Sequence, residues 1–167
     1  RRVIHRLFAH CESRGYIPRN SNPIAETQTY NGHRESAVVV WTPAEMAKLL
    51  LGATPDFLPC LAIGAFAGLR TSEILALDWR DVRLGERVIK VEHRKARCAG
   101  TRLAPITDNL AEWLTPMFKK HGPVWPHGTG WRERAKSLND AQTATAQAAG
   151  LEWKHNALRH SFVTYRV

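Results

Sequence analysis

Residues 65–77 read Ala65-Phe66-Ala67-Gly68-Leu69-Arg70-Thr71-Ser72-Glu73-Ile74-Leu75-Ala76-Leu77, and this segment joins two helices of different character. The chain from Phe57 to Phe66 is apolar on every side, which predicts a buried helix that ends at Gly68. Residues 71–73 are typical of the start of a second, short helix. Arg70 therefore lies at a helix N-terminus, where free backbone N–H groups favour an anion. Glu73 is spaced either to brace the Arg70 guanidinium or to form an ordinary surface ion pair with it.

Further helices and strands are predicted on both sides of this segment. Thr42, Pro43 and Glu45 form a capping box with proline at the first helical position, so a helix begins there. Apolar spacing and turn residues downstream predict three short strands and then three helices, which span 82–84, 88–91, 102–106, 110–118, 131–149 and 155–167. The predicted fold class is α+β, mainly α, with helices around a small three-stranded antiparallel sheet.

The first residues are predicted to form a separate helical unit. Apolar residues from Val3 to Cys11 recur on one helix face, and Gly15 follows as a cap. The stretch after Tyr16 is rich in Pro, Asn and Gly, which is typical of a connection between domains. We predict a helical unit over 1–28, a linker over 29–40 and a main domain over 41–167. The sequence opens inside a helix without Met and stops inside another, so we expect a fragment of a longer protein.

The charge of the chain favours a polyanionic partner. Its 167 residues carry 24 Lys and Arg against 15 Asp and Glu, which gives a net charge of +9. The excess is concentrated in 90–102, 119–136 and 154–166, a distribution that suits phosphates met from several elements, although each cluster is equally consistent with a solvated basic surface. The predicted DNA-binding residues are Lys90, Arg94, Arg102, Arg132, Arg134, Lys136 and Lys154.

Several classes of protein find no support in the sequence. No window approaches eighteen consecutive apolar residues and the start lacks a secretory signal core, so we expect a cytoplasmic protein with no membrane partner. The three cysteines are scattered, which predicts reduced thiols rather than disulfides or a zinc site. No histidine pair has ligand spacing with a carboxylate, and we expect neither a metal nor a cofactor.

Two arginine boxes identify a family. The segment from Gly68 to Glu73 matches the pattern G-L-R-x-x-E, and Leu158-Arg159-His160-Ser161-Phe162, about ninety residues later, matches L-R-H-[ST]-F. Between them, residues 101–106 resemble the strand that follows a β-hairpin lysine, and residues 14–17 resemble the end of a helical core-binding domain. In order and spacing, nearly the whole chain resembles the tyrosine recombinases, also called phage-type integrases.

The resemblance implies a fold, an activity and partners. Residues 1–28 would end the core-binding domain and residues 41–167 would form an incomplete catalytic domain. The implied function is site-specific recombination or integration of double-stranded DNA through a 3′-phosphotyrosyl intermediate, by a homotetrameric synapse of a mobile element. The implied location is the bacterial or phage-infected cytoplasm, at the nucleoid when DNA is bound.

Arg70 and Arg159 are the predicted phosphate-binding pair. A phosphodiester attacked by a tyrosine gathers charge on its non-bridging oxygens, and two planar guanidiniums bind those oxygens through paired hydrogen bonds. Glu73 is the predicted support of Arg70. By resemblance, His160 is expected to pack or to form a hydrogen bond in the wall of the site.

The chain departs from the family pattern at the general acid. The family lysine stands eight residues before the proline of the strand, and that position is Arg97 here. Arginine is a poor proton donor because its pKa exceeds about 12. Lys95 lies two residues earlier and would point to the same face of a regular strand, so it is the alternative acid. Both residues are equally consistent with an exposed hairpin.

A second departure concerns proton transfer. The family usually has histidine three residues before the second arginine, where this chain has Asn156, with His155 one residue earlier. On one helix these two would project about 40° and 60° to either side of Arg159, so His155 is the predicted substitute. The alternative is that His155 is an ordinary histidine at a helix start.

A third departure concerns the nucleophile. The family tyrosine follows the second arginine box, beyond Val167. Tyr165 is six helical residues from Arg159, which places it about 120° away around the axis, so we predict that it packs rather than attacks. The alternative function is a degenerate integrase-like module that binds DNA without catalysis.

Overall fold

The computed structural model describes residues 2–25, 27, 38–92 and 100–165. The chain divides into two compact units, Arg1–Ser36 and Ala37–Val167. The predicted linker over 29–40 falls largely outside the described residues. The two units are treated separately below.

The first unit contains one described helix, α1 (Arg2–Ser13). It ends in a turn at Gly15, whose φ of 72° is the left-handed conformation that glycine adopts at little cost. Asn22 ties the following chain to the helix, because its side-chain amide donates to the carbonyl of His5 at 3.3 Å. The apolar side chains of Val3 and Leu7 are exposed.

The second unit is mainly helical with one small sheet, as the sequence predicts. Its described elements, in chain order, are α2 (Pro43–Gly52), α3 (Leu58–Phe66), α4 (Thr71–Ala76), a 3-10 turn (Trp79–Asp81), β1 (Val82–Arg83), β2 (Val88–Glu92), β3 (Thr101–Pro105), α5 (Asp108–Leu114), a second 3-10 turn (Thr115–Met117), α6 (Trp131–Ala148) and α7 (Ala157–Tyr165). The strands are antiparallel in the order β1-β2-β3. The predicted fold class is confirmed.

Helix α3 forms the centre of the core because it has no polar face. Leu61 and Ile63 are fully buried, and α5 and α7 pack against the helix. Gly64 allows α7 to approach closely, since a side chain there would meet Leu158. The capping box predicted at α2 is present: Thr42 N–H donates to the Glu45 carboxylate at 2.8 Å.

The register of the sheet determines which side chains face the helices. Ile89 and Val91 are buried, and their partners on β3 are Ala104 and Arg102. Because directly opposed residues share a face of the sheet, Arg102 lies on the inward face. Lys90 lies on the outward face.

The start of the last helix differs from the prediction. Helix α7 begins at Ala157, not at His155. The chain turns just before it, where Ala157 N–H donates to the Lys154 carbonyl at 3.3 Å and Asn156 has a φ of 58°. Asparagine tolerates this left-handed conformation better than most residues, so it ends the turn. The angular argument that placed His155 and Asn156 on the helix beside Arg159 is therefore wrong.

Candidate functional site

A small cavity in the second unit brings the two predicted arginines together. It has a volume of about 50 Å³ and lies among α4, α6, the turn before α7, and α7 itself. Its polar lining consists of Arg70, Thr71, Gln142, Lys154, His155, Asn156 and Arg159. Arg70 and Arg159 thus line one cavity although they are distant in sequence.

Arg70 occupies the position just before the first residue of α4. Its backbone N–H donates to Glu73 Oε2 at 2.8 Å, and its Nη1 lies 3.3 Å from Glu73 Oε1. The side chain remains 54% exposed, so the guanidinium is fixed on one side and accessible on the other. The ion pair with Glu73 therefore leaves part of the Arg70 guanidinium available to donate hydrogen bonds to an anion.

Glu73 is the buried support of Arg70, and a second arginine holds it. The residue is only 8% exposed. Arg102, from β3, donates from Nη2 to Glu73 Oε2 at 2.8 Å. Burial raises the pKa of Glu73, but the Arg70 N–H and the charge and hydrogen bond of Arg102 more than offset this and hold that pKa below its usual value. Glu73 is therefore a carboxylate at neutral pH, and Arg102, which is also a predicted DNA contact, braces it.

Arg159 is fixed through the turn that precedes Arg70. Its Nη1 donates to the carbonyl of Gly68 at 2.7 Å. Gly68 has a φ of 63°, and a side chain at this position would collide with the ring of Phe162, one turn beyond Arg159. The close contact of α7 with Gly68 therefore brings the second arginine box against the first.

His155 and Asn156 lie in the turn before α7, are exposed, and line the arginine cavity. His155, the predicted substitute for the family histidine, and Asn156, which stands at the histidine position, thus line the same cavity as the arginines, although neither is helical. His160 is exposed and is not among the lining residues, so it does not pack in the wall of the cavity as expected.

Lys154, a predicted DNA contact, is engaged inside the unit. Its Nζ donates to both oxygens of Glu45 at 2.8 and 2.9 Å and to the Val40 carbonyl at 3.2 Å, and it lies 4.5 Å from the centre of the Trp41 ring. The hydrogen bond from Lys154 is the main cause of a lowered pKa at Glu45. This lysine ties the chain before α2 to the segment before α7.

The remaining predicted DNA contacts differ in their surroundings. Arg132 and Lys136 are exposed on α6, whereas Arg134 is half-buried and donates to the Trp125 carbonyl at 2.9 Å. Lys90 pairs with Glu92 at 3.0 Å. Arg94, Lys95 and Arg97 lie outside the described residues, as does the choice between the two candidate acids.

Tyr165 lies in a different place from the arginines. It lines an apolar groove of about 320 Å³ with Trp41, Met46 and Phe162, and no residue of that groove lines the arginine cavity. The side chain is 53% exposed. Tyr165 therefore lies away from the arginine cavity, but it is too exposed for the packing role that the sequence predicted.

Gln142 was not predicted from the sequence. It lies on the buried face of α6 with Leu138, Thr145 and Ala146. This helix lines the cavity with Leu138 and Gln142, and Gln142 is the polar one of the two. The available signal is a polar residue in an otherwise apolar or small inward stripe.

Two further features concern metals and membranes. The described part of the chain contains no group of three or more His, Cys, Asp or Glu side chains able to hold a metal ion. Within the same residues, no helix is both long and apolar enough to cross a bilayer.

Comparison with known proteins decides the family. The model of the phage integrase family matches residues 59–165, which include both arginine boxes and the whole cavity lining except Phe57. The chain belongs to the phage integrase family. The resemblance to the tyrosine recombinases is thereby confirmed. None of the curated proteins matches the sequence.

Two solved structures share the fold of this integrase-family chain. An integrase from mycobacterium phage Brujita has 22% identity and a TM-score of 0.65, over 96% of this chain and 54% of that one. XerA recombinase has 19% identity and a TM-score of 0.59, over 75% of this chain and 49% of that one. The chain spans about half the length of each.

Proposed function

We propose that this chain is the phosphate-binding part of a site-specific DNA recombinase, which breaks and rejoins DNA through a 3′-phosphotyrosyl intermediate. The observation that carries the proposal is the cavity lined by both Arg70 and Arg159. A protein that only covers the DNA backbone gains nothing from two arginines of distant segments at one small cavity. A phosphoryl-transfer enzyme needs them, because charge develops on the oxygens of a single phosphate.

The proposed roles follow from where each group lies. Arg70 and Arg159 bind the non-bridging oxygens, and Glu73 holds Arg70 in position. His155 or Asn156, both lining the same cavity, contacts the phosphate, and of the two only His155 can move a proton. By the family resemblance, Lys95 or Arg97 protonates the leaving 5′ oxygen, and lysine suits this step better because it releases a proton far more readily.

The nucleophile is proposed to lie after Val167 in the complete protein. Tyr165 lines the apolar groove rather than the arginine cavity, so its hydroxyl is not among the groups that surround a bound phosphate. The proposed partner is double-stranded DNA, held by a homotetramer as the family resemblance implies.

A second candidate is an integrase-like module that binds DNA without catalysis. It is favoured by Asn156, which stands where the family has histidine and cannot transfer a proton as imidazole does. Arg97 at the lysine position supports the same candidate.

Covalent trapping separates the two candidates. The 167-residue chain and a version extended by the segment that follows it are mixed with nicked suicide duplexes of randomised sequence and resolved on denaturing gels. We expect no adduct with the shorter chain and an adduct with the longer one, which Arg70→Gln and Arg159→Gln abolish. Lys48→Gln, an exposed cation on α2 outside both the cavity and the predicted DNA contacts, is the control and should preserve the adduct.

Two outcomes would contradict the proposal. An adduct of the 167-residue chain that Tyr165→Phe removes would make Tyr165 the nucleophile. A longer chain that never forms the adduct, even with Arg97→Lys and Asn156→His, would establish the DNA-binding module instead.

A further inference from the structure

Gln142 is a buried amide that opens onto the arginine cavity. It is 7% exposed, and its side chain forms part of the cavity lining together with Arg70 and Arg159. Among the residues that the structure describes, its amide has no hydrogen-bond partner. The amide is not one of the side-chain atoms sealed from solvent without a partner, so it is open to the cavity and can bond a ligand or water there.

The surroundings of Gln142 determine the chemistry of a ligand that could reach its amide. The cavity is cationic, because Arg70 is only partly neutralised by Glu73 and Arg159 is bonded to a neutral carbonyl. Lys154 contributes little further charge, since Glu45 accepts two hydrogen bonds from it. A ligand of this cavity is therefore an anion that accepts hydrogen bonds.

A glutamine suits this position better than a charged residue. Another cation would repel the two arginines, and a carboxylate would pair with their guanidiniums in place of the ligand. The amide N–H₂ donates to an anion without changing the charge of the site. A tetrahedral phosphate has enough acceptor positions for a third donor besides two guanidiniums.

We propose that Gln142 is a third phosphate ligand of this site, with Nε2 donating to a non-bridging oxygen of the phosphate that Arg70 and Arg159 hold. This rests on the proposed function. Gln142 would be set by α6, whose neighbouring inward residues Leu138 and Ala146 are fully buried and hold that face of the helix in place.

The test is the affinity of the 167-residue chain for inorganic phosphate, measured by calorimetry against chloride of equal ionic strength. Gln142→Met keeps the length and removes the donor, and we expect about tenfold weaker binding, the effect of losing one hydrogen bond to a charged group. Gln142→Glu should weaken binding further, because its carboxylate competes for the arginines. Gln147→Met, at an exposed position of the same helix, is the matched control and should bind as the wild type does.

A second measurement uses the unaltered chain, so it does not depend on the variants folding. The side-chain amide resonances of ¹⁵N-labelled Gln142 should shift during the phosphate titration with the same Kd, while those of Gln147 stay in place. Phosphate affinity that is unchanged in Gln142→Met but lost in Arg70→Gln and Arg159→Gln would overturn the role of Gln142 and leave the proposed function intact. Phosphate binding that Gln142→Met, Gln142→Glu, Arg70→Gln and Arg159→Gln all leave unchanged would overturn both the role of Gln142 and the proposed function.

Discussion

Gly68 is the residue through which the two arginine boxes meet. Its carbonyl accepts the hydrogen bond of Arg159, its backbone takes a left-handed conformation, and the space where a side chain would project is filled by Phe162. The left-handed backbone and the contact with Phe162 depend on the absence of a Cβ, and the position of the carbonyl depends on the path of the turn into Arg70. A single methyl group at this position therefore perturbs the site without touching a charged residue.

We predict that Gly68→Ala lowers the free energy of unfolding by about 1–2 kcal/mol for the left-handed backbone alone, and by more if the Phe162 ring cannot move aside. Phosphate affinity should fall as well, because the Gly68 carbonyl that accepts the hydrogen bond of Arg159 moves and the guanidinium is no longer held in place. Urea unfolding and calorimetry measure the two effects. Gly52→Ala is the control, since Gly52 has an ordinary φ and open space around it. Equal results for the two variants would contradict the role of Gly68.

At the scale of elements, β3 is linked to α4 through a buried carboxylate. Arg102 crosses from the inward face of the sheet to Glu73, which in turn binds the backbone and side chain of Arg70. The sheet therefore contributes to the position of an arginine that lies outside it.

We predict that Arg102→Met destabilises the chain by about 1–3 kcal/mol, because it removes a charged partner of a buried carboxylate. In the wild type the pKa of Glu73 lies below its ordinary 4.5, so its stabilisation is complete above pH 4.5 and is lost as the pH falls through the lowered pKa. The difference in the free energy of unfolding between wild type and Arg102→Met should therefore become smaller in acid. Arg83→Met, which breaks an exposed pair with Glu86, should cost at most about 1 kcal/mol.

Chemical denaturation at a series of pH values measures this prediction. If the difference in the free energy of unfolding between wild type and Arg102→Met stayed constant from neutral pH to acid, the loss of stability would not come from the interaction with Glu73.

The elements could be predicted from the sequence wherever a local signal sets their ends. The capping box at Thr42 and the apolar run that ends at Gly68 act within a few residues, and both agree with the structure. The start of α7 could not be placed, because a left-handed Asn156 has no distinctive signal in a segment with helical spacing. The alternation along β3 did contain the information that Arg102 faces inward, since it shares the face of Ala104.

Interactions between distant segments could not be predicted in the same way. Lys154 looks like a free cation in the sequence, and its partner Glu45 is known only once α2 and the turn before α7 are adjacent. Arg70 and Arg159 are the exception, because their two boxes form a recognisable family pattern. Gln142 lies in neither of the two arginine boxes, so the structure was needed to place it in the cavity.

For the whole molecule, the count of 24 Lys and Arg overstates the cations available to DNA. Arg102 and Lys154 are engaged by carboxylates within the second unit, while Arg132 and Lys136 remain exposed. The part of the charge that distinguishes this chain from a generally basic protein is the arginine pair at one cavity. The central claim is that this pair holds a single phosphate.

A crystal structure of the 167-residue chain with tungstate tests that claim most directly. Tungstate is a tetrahedral oxyanion like phosphate, and its anomalous scattering locates it independently of the protein. We predict one anomalous peak in the cavity, with oxygens within hydrogen-bond distance of both the Arg70 and Arg159 guanidiniums. An empty cavity, or a peak bound by one arginine while the other points away, would contradict the account.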